Sequence, residues 1–207
     1  GVKALEAKDL ERAGELLRLV KGSHRGRALD RLGFARFEAA GSDPAQLAVA
    51  RDLFTAIATI AGEELMPEAL YLGAECCMRL SDHRGVGERL QRLLQDAPDH
   101  ARADRARLLL GEAAVAMADG NVAVPVLEQF LRAPGRDRGD RARAHLMLGR
   151  ARMLRGEHVE AEASLQRVTE LSDGPLAAEA QFRIGETRQK RADLQGAADA
   201  FVKLPIL

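Results

Sequence analysis

Five histidines, two cysteines and a few paired carboxylates are the residues of this 207-residue chain whose types could bind metal, attack a substrate or move a proton. Their spacing does not support that chemistry. No two of His24, His83, His100, His145 and His158 stand four apart, the spacing at which a helix presents two imidazoles to one metal ion, and there is no Cys-x-x-Cys. The histidines lie at repeat boundaries or early in helical segments, where they read as surface or capping residues. Cys76 and Cys77 are adjacent, and neighbours on a helix point about 100° apart, so they are badly placed to bond to each other. They read as small core hydrophobes. Glu63/Glu64 and Glu160/Glu162 fall in turns or on polar faces and read as solvated. There is no Gly-x-Ser-x-Gly and no phosphate loop, and Gly85-Val86-Gly87 has no strand before it. No catalytic residue, cofactor or metal is therefore expected. The one local charge excess is Arg136, Arg138, Arg141 and Arg143, tempered by Asp137, Asp140 and Glu128. It reads as a solvated loop, with an acidic partner segment as the functional alternative. Arg138-Gly139-Asp140 spells an adhesion tripeptide, but three residues carry too little information to use.

The elements that hold these residues are helices. In 144–175, Leu148-Gly149 sits inside one helical pattern, and Ala161, Leu165 and Val168 follow i, i+4, i+7 spacing on a second. Gly156 breaks the chain between them. The unit is a helix, a tight turn and an antiparallel helix. Neither helix buries its apolar stripe alone, so the unit needs copies of itself beside it.

Those copies are present. Gly33, Gly73, Gly111, Gly149 and Gly185 each follow an aliphatic residue (Leu32, Leu72, Leu110, Leu148, Ile184), at spacings of 40, 38, 38 and 36 residues. A small-then-large signature recurs in the second helices: Ala13/Leu17/Val20, Ala50/Phe54/Ile57, Val86/Leu90/Leu93, Ala123/Leu127/Phe130, Ala161/Leu165/Val168 and Ala197/Phe201/Leu204. The small residue lets two helix backbones approach, and the large ones fill the groove beside it.

Over almost its whole length the pattern resembles the tetratricopeptide repeat (TPR) family. That repeat, of about 34 residues, has Leu-Gly in its first helix, Ala then Phe or Leu in its second, and Pro near its end. Pro98, Pro134 and Pro175 fall near that end. The departures are specific. Ala28, Ala106, Ala144 and Ala180 stand where a large residue is usual, and Arg36, Cys76, Ala114, Arg152 and Arg188 where an aromatic is usual. The resemblance implies an all-α, right-handed α-solenoid of stacked antiparallel hairpins. The array divides into a partial repeat over 1–22 and repeats over 25–62, 66–98, 100–134, 137–173 and 175–204. The chain is expected to be a piece of a longer, bacterial protein.

Composition agrees with a helical array. The chain is 46% hydrophobic, has one Tyr and no Trp, and no stretch alternates as a strand would. Thirty-one basic and thirty-one acidic residues give a net charge of zero, which argues against a nucleic-acid binder. Arg outnumbers Lys 26 to 5, read as genomic base composition. No apolar run approaches the roughly 20 residues that span a bilayer. Helices are predicted over 10–21, 25–40, 44–60, 66–80, 83–95, 101–118, 122–132, 141–155, 158–172, 176–191 and 194–203. The uncapped apolar end at Leu204, Ile206 and Leu207 allows a homo-oligomer.

The resemblance also implies where a partner would lie. The first helix of each hairpin lines the concave groove, with the residues two before and five after the repeat Leu facing into it. On that reading the partner-binding groove is Phe34, Phe37, Leu70, Leu108, Val115, Leu146, Arg150, Met153, Phe182 and Glu186. The alternative is that many of these side chains are buried between neighbouring first helices. The Lys/Asn set with which some family members clamp a C-terminal carboxylate is not matched. The expected function is a non-catalytic scaffold or adaptor that binds a partner peptide or helix. An accessory domain of a larger enzyme or signalling protein, a cell-envelope assembly factor and a nucleic-acid binder are the rivals. The compartment, cytoplasmic or bacterial periplasmic, stays open.

Overall fold

The structure, a computed structural model, describes residues 9–60 and 65–204. The readings of 1–7 as a helix tail, of Glu63/Glu64 as solvated and of Ile206 and Leu207 as an apolar end lie outside the described residues. Among those residues there are eleven α-helices and no strand. They are α1 (Leu10–Arg18), α2 (Arg25–Ala40), α3 (Pro44–Ile60), α4 (Met66–Arg79), α5 (His83–Asp96), α6 (Ala103–Ala116), α7 (Gly120–Arg132), α8 (Arg138–Leu154), α9 (His158–Leu171), α10 (Pro175–Lys190) and α11 (Leu194–Val202).

Helix ends follow local chemistry. Asp43 accepts the Ala45 amide at 2.9 Å, and Pro44 takes the first helical position, where its missing N–H costs nothing. α8 starts three residues earlier than predicted because Asp137 caps it, accepting the Gly139 amide at 2.8 Å and the Asp140 amide at 3.2 Å.

Four hairpin turns share one geometry. The amides of Asp82, Asp119, Glu157 and Asp193 donate back to the carbonyls of Cys77, Ala114, Arg152 and Arg188, at 2.8–3.0 Å. One residue earlier, the amides of Ser81, Ala118, Gly156 and Ala192 donate to Met78, Val115, Met153 and Gln189. This six-to-one, five-to-two pair is the Schellman closure, which places its central residue in the left-handed region. Gly156 takes that conformation (φ 74°) without strain, whereas Ser81 (57°), Ala118 (57°) and Ala192 (62°) take it with a side chain.

The chain divides into two compact units, Gly1–Ala106 and Arg107–Leu207. In the first, α1 packs on α2, α2 on α3, α3 on α4 and α4 on α5. In the second, α7 packs on α8, α8 on α9, α9 on α10 and α10 on α11, and the first helices α8 and α10 also touch. Each unit is thus a stack of antiparallel hairpins.

The glycines after the repeat aliphatic residue make the packing possible. A Cβ on Gly111 would lie 2.5 Å from Leu127, and one on Gly149 would lie 2.6 Å from Leu165. Gly33 meets Phe54 and Gly185 meets Phe201 in the same way. In these four hairpins the first large residue of the second-helix signature therefore sits on a glycine of the first helix. Phe54, Leu127 and Leu165 are fully buried as a result. Burying each such side chain contributes about 1.5–3 kcal/mol. Gly73 differs, because Arg89 rather than Leu90 covers it.

Three of the arginines in the usual aromatic position fill that slot with polar bridges. Arg36 on α2 donates to Glu11 (2.9 Å) on α1 and to Gln46 (3.0 Å) on α3. Arg152 on α8 donates to Glu128 (2.7 Å) on α7 and to Ser164 (2.7 Å) on α9. Arg188 on α10 donates to Glu162 (2.6 Å) on α9 and to the Gly196 carbonyl (3.1 Å) in the first turn of α11. Each ties its own second helix to the one before it. Glu162, only 9% exposed, also accepts Arg191 at 3.0 Å, so its buried carboxylate is fully paired.

Candidate functional site

The residues with chemistry in their side chains are used for folding. Cys76 and Cys77 are buried thiols, and burial pushes them up to about 12 and about 11. At neutral pH neither is the thiolate that a nucleophile or metal ligand must be. Gly85 and Gly87 belong to the first two turns of α5, where Gly85 leaves room for the Asp82 cap. Arg138-Gly139-Asp140 is the first turn of α8. Arg138 donates to the carbonyls of Leu171 (2.7 Å) and Glu170 (3.1 Å), so it ties α8 to the end of α9. Arg136 lies over the Phe130 ring at 4.9 Å, and Arg143 pairs with Glu112 at 3.5 Å. The arginine cluster is therefore spread over separate packing contacts.

His145 differs from the surface or capping role expected of it. It lies within α8, half-buried, and burial followed by Arg141, Arg167 and Arg152 pushes it down to about 4. Among the described residues no group of three or more His, Cys, Asp or Glu is placed to hold a metal ion. No described helix is long and apolar enough to cross a membrane.

The ten groove positions divide by exposure. Phe37, Leu70, Leu108, Val115 and Leu146 are buried. Phe37 lies against Phe54 edge-on at 6.4 Å, with the Arg79 guanidinium 4.3 Å over its ring. Leu70 faces Thr55 and Thr59 of α3 and Arg92 of α5, which are second helices. Leu108 packs with Leu127, Phe130 and Leu148, and Leu146 packs with Val168, Ala180 and Ile184. The position two before the repeat Leu thus points into the hairpin stack at Leu108 and Leu146. Phe34 and Phe182 are exposed, and Arg150, Met153 and Glu186 are partly so. Phe182 leans on Phe201 with ring centres 5.7 Å apart.

Three of these residues come together. Val115 of α6, Arg150 and Met153 of α8, with Leu154 and Arg183, line one open cleft in the second unit. It therefore sits where three successive first helices meet. Three apolar side chains and two guanidinium groups line it. Its volume, about 190 Å³, is below the roughly 300 Å³ at which small-molecule pockets begin, so it suits a side chain of a larger partner. Leu154, 48% exposed, and Arg183 were missed in the sequence because they lie one position off the expected register: six after Leu148, and one before Ile184.

No family model and no curated protein matches the chain. Solved structures match its fold. MamA residues 41 to the end from Desulfovibrio magneticus RS-1 align with a TM-score of 0.69 at 20% identity, over 86% of this chain and 92% of that one. A putative kinesin light chain from Podosopora anserina with nearly identical TPR-like repeats gives 0.64 at 18% identity, over 89% and 95%. YrrB, described as a TPR protein with an unusual peptide-binding site, gives 0.62 at 16% identity, over 79% and 78%. The chain has the TPR-like α-solenoid fold.

Proposed function

From a TPR-like fold, we propose that the chain is a non-catalytic protein-interaction module that holds a peptide or helix of a partner protein. The observation that carries this reading is the cleft among α6, α8 and α10, in which Met153 and Leu154 stand partly or largely exposed beside Arg150 and Arg183. Apolar side chains beside charged ones, contributed by successive first helices, suit a segment whose anchors recur every three or four residues. The peptide site named for YrrB supports the same use of the fold. In the second unit the groove positions that reach solvent are Arg150, Met153, Leu154, Phe182, Arg183 and Glu186, and in the first unit Phe34 stays exposed.

The test compares partner capture by the chain and by Leu154→Glu. Leu154 is half-exposed, so the variant keeps its melting temperature and loses most of the captured partner. Unchanged capture by a folded variant removes this cleft from the function.

A further inference from the structure

The cleft carries a preference for what enters it. Glu179 Oε1 lies 3.8 Å from Arg150 Nη1 and also 3.8 Å from Arg183 Nη2. Two guanidinium groups therefore face one carboxylate oxygen, at a distance too long for a hydrogen bond. Arg183 has a second carboxylate, Glu186, at 2.9 Å. For Arg150, Glu179 is the pairing the structure gives, and its side chain is 35% exposed. Arg-carboxylate pairs reach full strength only at about 2.7–2.9 Å with aligned N–H groups. Glu179 thus marks a carboxylate position between the arginines that it fills loosely. Met153 and Leu154 line the same cleft, so an aliphatic side chain is seated beside the acidic one.

We infer that this cleft selects an internal acidic residue flanked by aliphatic residues, its carboxylate set between Arg150 and Arg183 and displacing Glu179. The inference rests on the peptide-binding reading above and adds the chemistry of the occupant. It requires a side-chain carboxylate and no free chain end.

The probes are three amidated peptides, Ac-Leu-Leu-Glu-Leu-Leu-NH2 and its Gln and Lys counterparts, titrated into the whole chain labelled at Met and Leu methyl groups. The Glu peptide is expected to shift the Met153 and Leu154 methyls and to bind about fivefold more tightly than the Gln peptide, as partly exposed charge pairs allow. The Lys peptide binds most weakly, and added salt narrows the differences. Arg150→Gln removes the preference for Glu over Gln. Glu179→Gln strengthens Glu-peptide binding by removing the internal competitor, an effect that a purely structural role for Glu179 would not produce. If Glu and Gln peptides bind equally at these methyls, the acidic preference is wrong and the groove reading stands. If no peptide moves these methyls, both readings of this cleft fail.

Discussion

Leu146 and Leu154 stand eight residues apart on α8, yet one is 1% exposed and the other 48%. Their substitutions are expected to separate. Leu146→Ala leaves a cavity among Leu165, Val168, Ala180 and Ile184 and should cost about 2–5 kcal/mol in denaturant unfolding. Leu154→Glu changes a surface position and should stay within about 0.5 kcal/mol. His145, on the same helix, makes a pH prediction. Its folded value of about 4 lies below the ordinary 6.5, so between those values the unfolded chain binds the proton more readily. The stability it contributes is complete above pH 6.5 and is lost as pH falls towards 4. Melting between pH 7 and pH 4.5 should therefore drop further in the parent chain than in His145→Gln. The apolar identity of Leu108 and Leu146 was legible in the sequence, which left open whether they line the groove or are buried. Their burial depends on how closely the two helices of a hairpin approach, and the glycines at 111 and 149 set that distance by admitting Leu127 and Leu165.

At the scale of the helix, turn chemistry was the most readable feature. The start of α3 follows from Asp43-Pro44, and predicted and observed limits agree for α2 and α3. The start of α8 was placed late because the polar stretch ahead of 141 reads as a solvated loop, whereas the Gly139 amide within it is the group that Asp137 caps. The aromatic slots could not be read at all from residue type. Arg36, Arg152 and Arg188 look like departures from the repeat until Glu11, Glu128 and Glu162 are seen within 2.6–2.9 Å of them. Those acids come from a different hairpin, at sequence separations of 24–26 residues, and occupy no common register. The turns also give a prediction with an unusual sign. Ala118 and Ala192 hold left-handed backbone conformations that cost an L-residue about 1–2 kcal/mol. Ala118→Gly and Ala192→Gly should each raise stability by about 0.5–1 kcal/mol, after the added freedom of the unfolded glycine is subtracted. The same change at Ala114, in the middle of a buried helical turn, should lower it.

For the molecule as a whole, each hairpin is stabilised chiefly by its neighbours, so protection is expected to vary along the stack. Hydrogen exchange should be fastest in the nine-residue helices α1 and α11, and slowest in α4 and α9, which pack on elements to either side within their own units. Equal protection of all eleven helices would contradict nearest-neighbour stability. The fold class was legible throughout, because the Leu-Gly and small-large signatures state which helix leans on which. The cleft was legible only in part. Its position follows from the repeat, but which side chains reach it depends on single-residue offsets that place Leu154 and Arg183 at its wall.

The Schellman turns carry a further implication. Closure at Asp82, Asp119, Glu157 and Asp193 is made by amides meeting carbonyls, and three of those acids add a side-chain cap. None of it depends on which side chains line the groove. A gene for such a chain can lengthen by copying one hairpin whole, and mutation can then alter the copied surface while the joint that holds it is inherited intact.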